Sequence, residues 1–334
     1  MKNRIIVTGA AGFIGAHTAK LLLENNHEVI GIDNLNDYYN PQLKRDRINH
    51  LLGKNFINND IDIANYQVVH EICLNFKPNY IVHLAAQAGV HYSQENPSQY
   101  LDTNIKGFLN ILEISKVLNV KKVIYASSSS VYGGNTKLPF VESDRTDDPL
   151  NFYAVTKKCN ELMATAYNHM YDLRLTGLRF FTAYGPWGRP DMAITKFTDA
   201  IINQKQIELY HGGLHRRDFT YIDDISSRIN QLIEVDIIKY PNRQSENQKS
   251  VTGSGHEVFN IGNQNPVLVK DIVSSLEKII GKKAILNFRE KQNVDALDTF
   301  SDNRKINNFL ITDKSTSIDE GLSRYVEWHR NYYS

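Results

Sequence analysis

Tyr153 and Lys157 stand four residues apart, so in a helix a phenol and an ammonium project from one face. A phenol takes a proton near neutral pH only if its pKa of about 10 falls by roughly three units, or about 4 kcal/mol. An ammonium roughly 4 to 5 Å away supplies about 3 to 4 kcal/mol of that at an effective dielectric near 20. Upstream, Ser127 to Ser130 closes a strand-like run, where the Ser128 hydroxyl is placed to hold the oxygen that loses the proton. The chemistry of such a set is deprotonation of an alcohol. A Tyr-x-x-x-Lys pair is also common on ordinary amphipathic helix surfaces, so the company it keeps decides its meaning.

That company begins at the N-terminus. Gly9-Ala10-Ala11-Gly12-Phe13-Ile14-Gly15 follows the apolar run Ile5 to Thr8 and opens a helical pattern, Phe13 to Asn25. In this context Gly9 permits the tight turn, Gly12 lets backbone approach a pyrophosphate, and Gly15 allows helix to pack on strand. The phosphates then meet free amides at a helix N-terminus. Asp33 ends the second strand-like run, Glu28 to Asp33, where a carboxylate accepts from the ribose hydroxyls. A 2′-phosphate there would meet a like charge, so NAD is expected rather than NADP; the competing reading of Asp33 is a helix or turn cap. Asp60 and Ile61 are placed to flank the adenine. An oxidised nicotinamide is itself a cation and would depress Tyr153 further.

The elements that position these groups alternate. Asn55 to Asn58, Tyr80 to Leu84, Lys122 to Ser127 and Leu173 to Phe181 read as further strands. Tyr66 to Phe76, Pro97 to Leu118 and Ala154 to Tyr171 read as the helices between them. Such alternation demands right-handed crossovers and a parallel sheet covered on both faces, an α/β doubly wound (Rossmann) fold. Beyond it, a loop rich in Gly, Pro and Trp spans Tyr184 to Met192, followed by a helix at Ile194 to Asn203 and a strand at Ile207 to Tyr210. Arg216 to Asp224 opens another helix, Pro241 to Glu257 reads as a polar surface excursion, and Val258 to Ile261 and Val269 to Ile280 resume as strand and helix.

With 334 residues, 41% hydrophobic and 22% charged, the chain can bury a large core. A formal net charge of +1 supplies no field for nucleic acid, which favours small-molecule chemistry. No apolar run approaches the roughly 20 residues of a membrane span, and Met1 to Thr8 reads as no targeting segment. The two cysteines, Cys73 and Cys159, form no disulfide framework and suit a reducing cytosol, so a cytoplasmic protein is expected; Cys159 reads as a packing residue. No metal site is expected.

Together these features resemble the extended short-chain dehydrogenase/reductase superfamily, in its NAD-dependent epimerase/dehydratase family. Family dehydratases carry Asp-Glu before Val-Tyr-Gly, and decarboxylases a Glu. This chain reads Ser128-Ser129-Ser130-Val131-Tyr132-Gly133, without an acid to drive elimination. The finer resemblance is to UDP-glucuronate 4-epimerases, through Ala85 to Val90, Tyr125 to Gly133, Tyr153 to Lys158, Leu178 to Thr182, Tyr184 to Ala193 and Arg216 to Tyr221. It implies NAD contacts at Phe13, Ile14, Asn34, Leu84, Ala85, Ala86, Thr103, Ser127 and Phe181, besides those above. It implies sugar-nucleotide contacts at Gln87, His91, Ser128, Ser129, Ser130, Tyr153, Thr182, Tyr210, Arg189 and Arg217. Arg189 would read the uronate carboxylate with its planar fork, the competing reading being a loop arginine paired with Asp191 or solvent. Arg217 would meet the diphosphate, or else a surface ion pair.

The resemblance further implies a Rossmann domain at residues 1–181 plus roughly 218–262, and a smaller, interleaved C-terminal substrate-binding α/β domain at 182–217 and 263–334. It also implies a homodimer through the helices Pro97 to Leu118 and Ala154 to Tyr171, although their Leu109, Leu112, Leu162 and Met163 suit sheet packing equally. Two departures stand out. Val90-His91-Tyr92-Ser93 replaces the relatives' Val-Arg-Tyr-Ser, exchanging a fixed charge for a titratable one, and Gln292-Asn293-Val294-Asp295 replaces Gln-Pro-Gly-Asp. The implied reaction oxidises the sugar at C4, turns the 4-keto sugar about its bond to the diphosphate, and reduces it on the other face, regenerating tightly bound NAD each cycle. A 4-epimerase of neutral UDP-hexoses and a catalytically silent NAD-binding regulator are the competing functions.

Overall fold

β-branched runs alternating with helices lay down six parallel strands in chain order: β1 (Arg4–Thr8), β2 (Glu28–Ile32), β3 (Asn58–Asn59), β4 (Tyr80–His83), β5 (Lys122–Ser128) and β6 (Leu175–Phe180). A seventh, His256–Ile261, joins the far edge, giving the order His256–Ile261, β6, β5, β4, β1, β2, β3. Every pairing in this sheet is parallel. The computed structural model describes residues 2–235, 255–290, 298–311 and 315–333.

Alternate residues of β1 serve opposite faces: Ile5 and Val7 enter one apolar cluster and Ile6 the other, all three fully buried. Helix Phe13–Glu24 covers the first face; Phe108–Val117 and Phe152–Tyr171 cover the second. Leu112 is fully buried in that second layer, whereas Leu109 and Leu162 face outward at 39% and 57% exposure. The expected α/β doubly wound architecture is therefore present, and strand order reverses between β1 and β4, the place where such sheets open a crevice.

Beyond β6, small paired strands and helices Ala193–Ile202, Val269–Ile280 and Ile318–Tyr333 pack onto the first layer. Strand Gln206–Tyr210 pairs with Ile285–Arg289, one residue longer than expected. Among the described residues, no helix is long and apolar enough to cross a membrane, and no cluster of acidic, His or Cys side chains could hold a metal. Cys73 is buried and Cys159 half-buried, both free thiols.

Some local expectations fail for tertiary reasons. Pro97 to Leu118 is not one regular helix: Pro97–Tyr100 passes through a π-helical stretch, Leu101–Gly107, before Phe108–Val117. The widened turn lets Asn104 clip the backbone of Gln87 (2.9 and 3.0 Å) and the Thr156 hydroxyl (3.0 Å). Arg216 to Asp224 is not a helix start. It forms the strands Arg216–Arg217 and Phe219–Tyr221, because fully buried Asp218 accepts from the amides of Ser301, Asn263 and Gln264; the helix starts at Ile222. The third strand begins at Asn58 rather than Asn55. Of the Pro241 to Glu257 excursion, residues 241–254 lie outside the described residues, as do Gln292 to Asp295, while His256 and Glu257 belong to the last strand.

Candidate active site

The carboxyl ends of β1, β4, β5 and β6 open into a cavity of about 380 Å³. At one end lies the glycine turn. Gly9 takes φ +72°, and a Cβ on Gly15 would stand 1.9 Å from the Gly9 carbonyl oxygen, so helix Phe13–Glu24 can start this close only on glycine. Asp33, 8% exposed, borders the same end; its carboxylate accepts from the Ala11 amide (3.1 Å) and the Leu35 amide (2.9 Å). Burial raises its pKa, opposed by those two bonds and by the charges of Lys44 and Arg47. Asp33 is thus tied to the turn itself. Gly9, Gly12, Phe13, Ile14, Gly15, Asn34 and Ile61 all border this end. A side-chain-free cradle of amides beside one buried carboxylate fits a dinucleotide's diphosphate and ribose.

The central wall comes from three strand ends. Leu84, Ala85, Ala86 and Gln87 follow β4, Ser127 to Ser130 end or follow β5, and Phe181 and Thr182 follow β6, with Thr103 reaching in from the π-helical stretch. The Ser128 hydroxyl accepts from the Ser130 amide and donates to the Ser130 hydroxyl, both at 3.1 Å. Helix Phe152–Tyr171 is capped by Asn151, whose side chain accepts from the Ala154 amide (2.9 Å), and Ser93 accepts from the Tyr153 amide (3.2 Å). These two anchors fix the first turn, so Tyr153 and Lys157 both border the cavity.

The Lys157 ammonium donates to the Ala126 carbonyl (3.0 Å) and lies 5.9 Å from the centre of the Tyr153 ring. Burial pushes Tyr153 up, against a hydrogen bond with Ser128 and the charge of Arg189, and it pushes Lys157 down to about 7. The expected depression of Tyr153 by Lys157 is therefore not seen in the protein alone, because desolvation drives both groups toward their neutral forms.

Behind Ser127 sits a pair that sequence reading missed. Ser127 donates to Glu161 (2.6 Å), and Glu161 forms a buried two-point ion pair with Arg179 (2.8 and 2.9 Å). The available signal was a carboxylate one helical turn beyond Lys157, on the face that must be buried.

The third wall carries Arg189. Its guanidinium grips Asp191 in a two-point ion pair, and Tyr38 donates to the same carboxylate (3.1 Å) with its ring 5.8 Å from the guanidinium. Asp191 holds Arg189 well above its ordinary value despite burial. Of the two sequence readings of Arg189, the Asp191 pairing is present, and Arg189 borders the cavity nonetheless. Trp187, earlier in this loop, takes φ +64°, a conformation costing a bulky residue about 1 kcal/mol or more. Its indole packs against His50, Trp328 and Tyr332.

Four expected contact residues do not border the cavity. Asp60 is exposed and accepts from the Asn58 side chain (2.6 Å); His91 is turned outward at the start of the short helix Tyr92–Glu95. Tyr210 lies on the strand Gln206–Tyr210 and donates to Glu208 (3.2 Å), and Arg217, on a neighbouring short strand, donates to the Arg216 carbonyl (3.0 Å). In their place Asn36, Tyr38 and Lys44, from the segment after β2, border it.

Residues 5–237 match the NAD dependent epimerase/dehydratase family. The chain is 46% identical over 333 residues to the protein CapI of Staphylococcus aureus, covering 99% of both chains. It is 42% identical to a probable UDP-glucuronate 4-epimerase of Rhizobium meliloti, covering 99% of this chain and 98% of the relative. Among solved structures it is similar to a UDP-glucuronic acid 4-epimerase from Bacillus cereus in complex with UDP-glucuronic acid and NAD, at 32% identity and TM-score 0.87, covering 99% of this chain and 100% of that one.

Proposed function

The chain belongs to the NAD dependent epimerase/dehydratase family and is an NAD-dependent UDP-sugar 4-epimerase, and from that premise we propose that its substrate is UDP-glucuronate, converted to UDP-galacturonate. The observation that carries the reading is Arg189, a permanently charged fork at the wall of the cavity that Ser128, Tyr153 and Lys157 border. A uronate carboxylate can replace Asp191 on that fork, whereas a neutral hexose cannot.

Bound NAD supplies hydride acceptance and return at C4. The chain's own residues do the rest. Tyr153 takes the proton of the sugar 4-hydroxyl and gives it back, Ser128 holds that oxygen, and the Lys157 ammonium favours the phenolate. Ser129, Ser130, Gln87 and Thr182 line the space in which the sugar turns, and the cavity needs no acid because nothing is eliminated. Residues 1–181 and roughly 218–262 would hold NAD, and 182–217 with 263–334 the sugar nucleotide. A cytoplasmic homodimer through the exposed faces of Phe108–Val117 and Phe152–Tyr171, supplying polysaccharide precursors, completes the proposal; Leu109 and Leu162 at 39% and 57% exposure support that face.

The Arg189–Asp191 pair favours the second reading, a 4-epimerase of neutral UDP-hexoses in which Arg189 is already satisfied. Incubation with UDP-glucuronate and with UDP-glucose, and chromatography of the products, separates the two. Epimerisation of UDP-glucose alone would overturn the uronate assignment, and failure on every UDP-sugar would return the silent regulator.

A further inference from the structure

Arg47 is fully buried, at the junction of helix Pro41–Arg47 and the π-helical stretch Ile48–Leu52. Among the described residues it forms no ion pair. Its guanidinium instead donates to the Ala11 carbonyl (3.0 Å), the Trp187 carbonyl (2.9 Å), the Gly188 carbonyl (3.4 Å) and the Tyr39 hydroxyl. Ala11 belongs to the glycine turn, while Trp187 and Gly188 immediately precede Arg189. One rigid fork therefore bridges the dinucleotide turn and the loop at the sugar wall, two segments far apart in sequence.

The bridge has a second strand. His17, on the helix that the glycine turn opens, pairs through Nε2 with the Pro186 carbonyl (3.0 Å). Three successive carbonyls, at residues 186, 187 and 188, are thus held, the first by the helix that the turn opens and the other two by Arg47. Trp187 keeps its left-handed backbone at the centre of that grip. A buried cation is costly unless its surroundings compensate it; the hydrogen-bond acceptors of Arg47 are all neutral, and the negative charge it acts on is that of Asp33, at the turn.

We propose that Arg47 is a positioning residue that couples the glycine turn to the Arg189 loop, so that a diphosphate on the turn orders the loop before any sugar arrives. Linkage makes the effect reciprocal: an ordered loop also tightens the turn's hold on the dinucleotide. The planar fork is essential, because a lysine ammonium reaches one side of the bridge but cannot span both.

Hydrogen exchange with mass spectrometry, on protein stripped of NAD and reloaded with NAD alone, tests this without any turnover. In the wild type, NAD is expected to slow exchange several-fold in residues 9–16 and also in residues 185–192. In Arg47→Lys the protection of 9–16 persists and that of 185–192 is lost, and in activity the variant raises KM for the UDP-sugar more than it lowers kcat. Wild-type protection confined to 9–16 overturns the proposal whether or not the variant folds, as does an Arg47→Lys protein that protects both segments. The exchange arms contain no sugar, so they fail or succeed independently of the uronate assignment.

Discussion

Tyr153, Lys157 and Arg189 border one cavity and all three are desolvated there, with opposite outcomes. Tyr153 and Lys157 have no counter-charge, so desolvation pushes the phenol up and the ammonium down to about 7. Arg189 borders the same cavity, on its third wall, but keeps its charge, because Asp191 stands two residues away and supplies the opposite one. The redox side is held electrostatically uncommitted, ready to respond to an incoming cation, whereas the sugar side is charged and already satisfied. In energetic terms, the first pair is tuned by what binds, and with the proposed uronate substrate the second exchanges one carboxylate for another.

The contrast breaks most visibly at Tyr153. Tyr153→Phe removes the proton acceptor without emptying the cavity, and kcat is expected to fall by roughly 10² to 10⁴; steady-state turnover within ten-fold of wild type would end the assignment. Arg189→Leu comes next. Loss of hydrogen bonds to a charged group, about 1.5 to 3 kcal/mol, should lower kcat/KM for UDP-glucuronate by roughly 10- to 100-fold and leave UDP-glucose within a few-fold. Equal losses on both sugars would show that Arg189 serves the loop rather than the carboxylate.

The smallest effect is on stability. Between pH 7 and about 10 the unfolded chain keeps the Lys157 proton that the folded protein has shed, so wild-type stability gains with rising pH through this window. In Lys157→Met that contribution is absent. Thermal unfolding at pH 7 and pH 9 should therefore show a larger rise in Tm for wild type than for the variant. Identical rises would mean that Lys157 remains charged.

What could be read from the chain follows how local each feature is. Gly9, Gly12 and Gly15, and Tyr153 with Lys157, sit within one or two turns, so spacing alone fixes their relative geometry; all five border the cavity. Arg47, Tyr38 and the Glu161–Arg179 pair were invisible because their partners lie in other segments, and no period in the sequence links residue 47 to residue 187 or 161 to 179. The expected helix start at Arg216 to Asp224 failed for the opposite reason: the amides that claim the Asp218 carboxylate within it are those of Ser301, Asn263 and Gln264. Local preference lost to distant demand.

The seventh strand has a consequence for the order of events at synthesis. β6 ends at Phe180, but the strand that covers its outer edge, pairing Leu175 with His256 and Phe180 with Ile261, is translated only after the intervening chain. Until then a nascent chain carries a hydrophobic parallel edge with its amides and carbonyls unpaired, the kind of surface that recruits other strands. Closing that loop is also a long-range step that slows folding. Truncation before Ile261 should therefore yield aggregates rather than a separable nucleotide-binding half, and chaperone demand should peak while residues between 181 and 256 are being made.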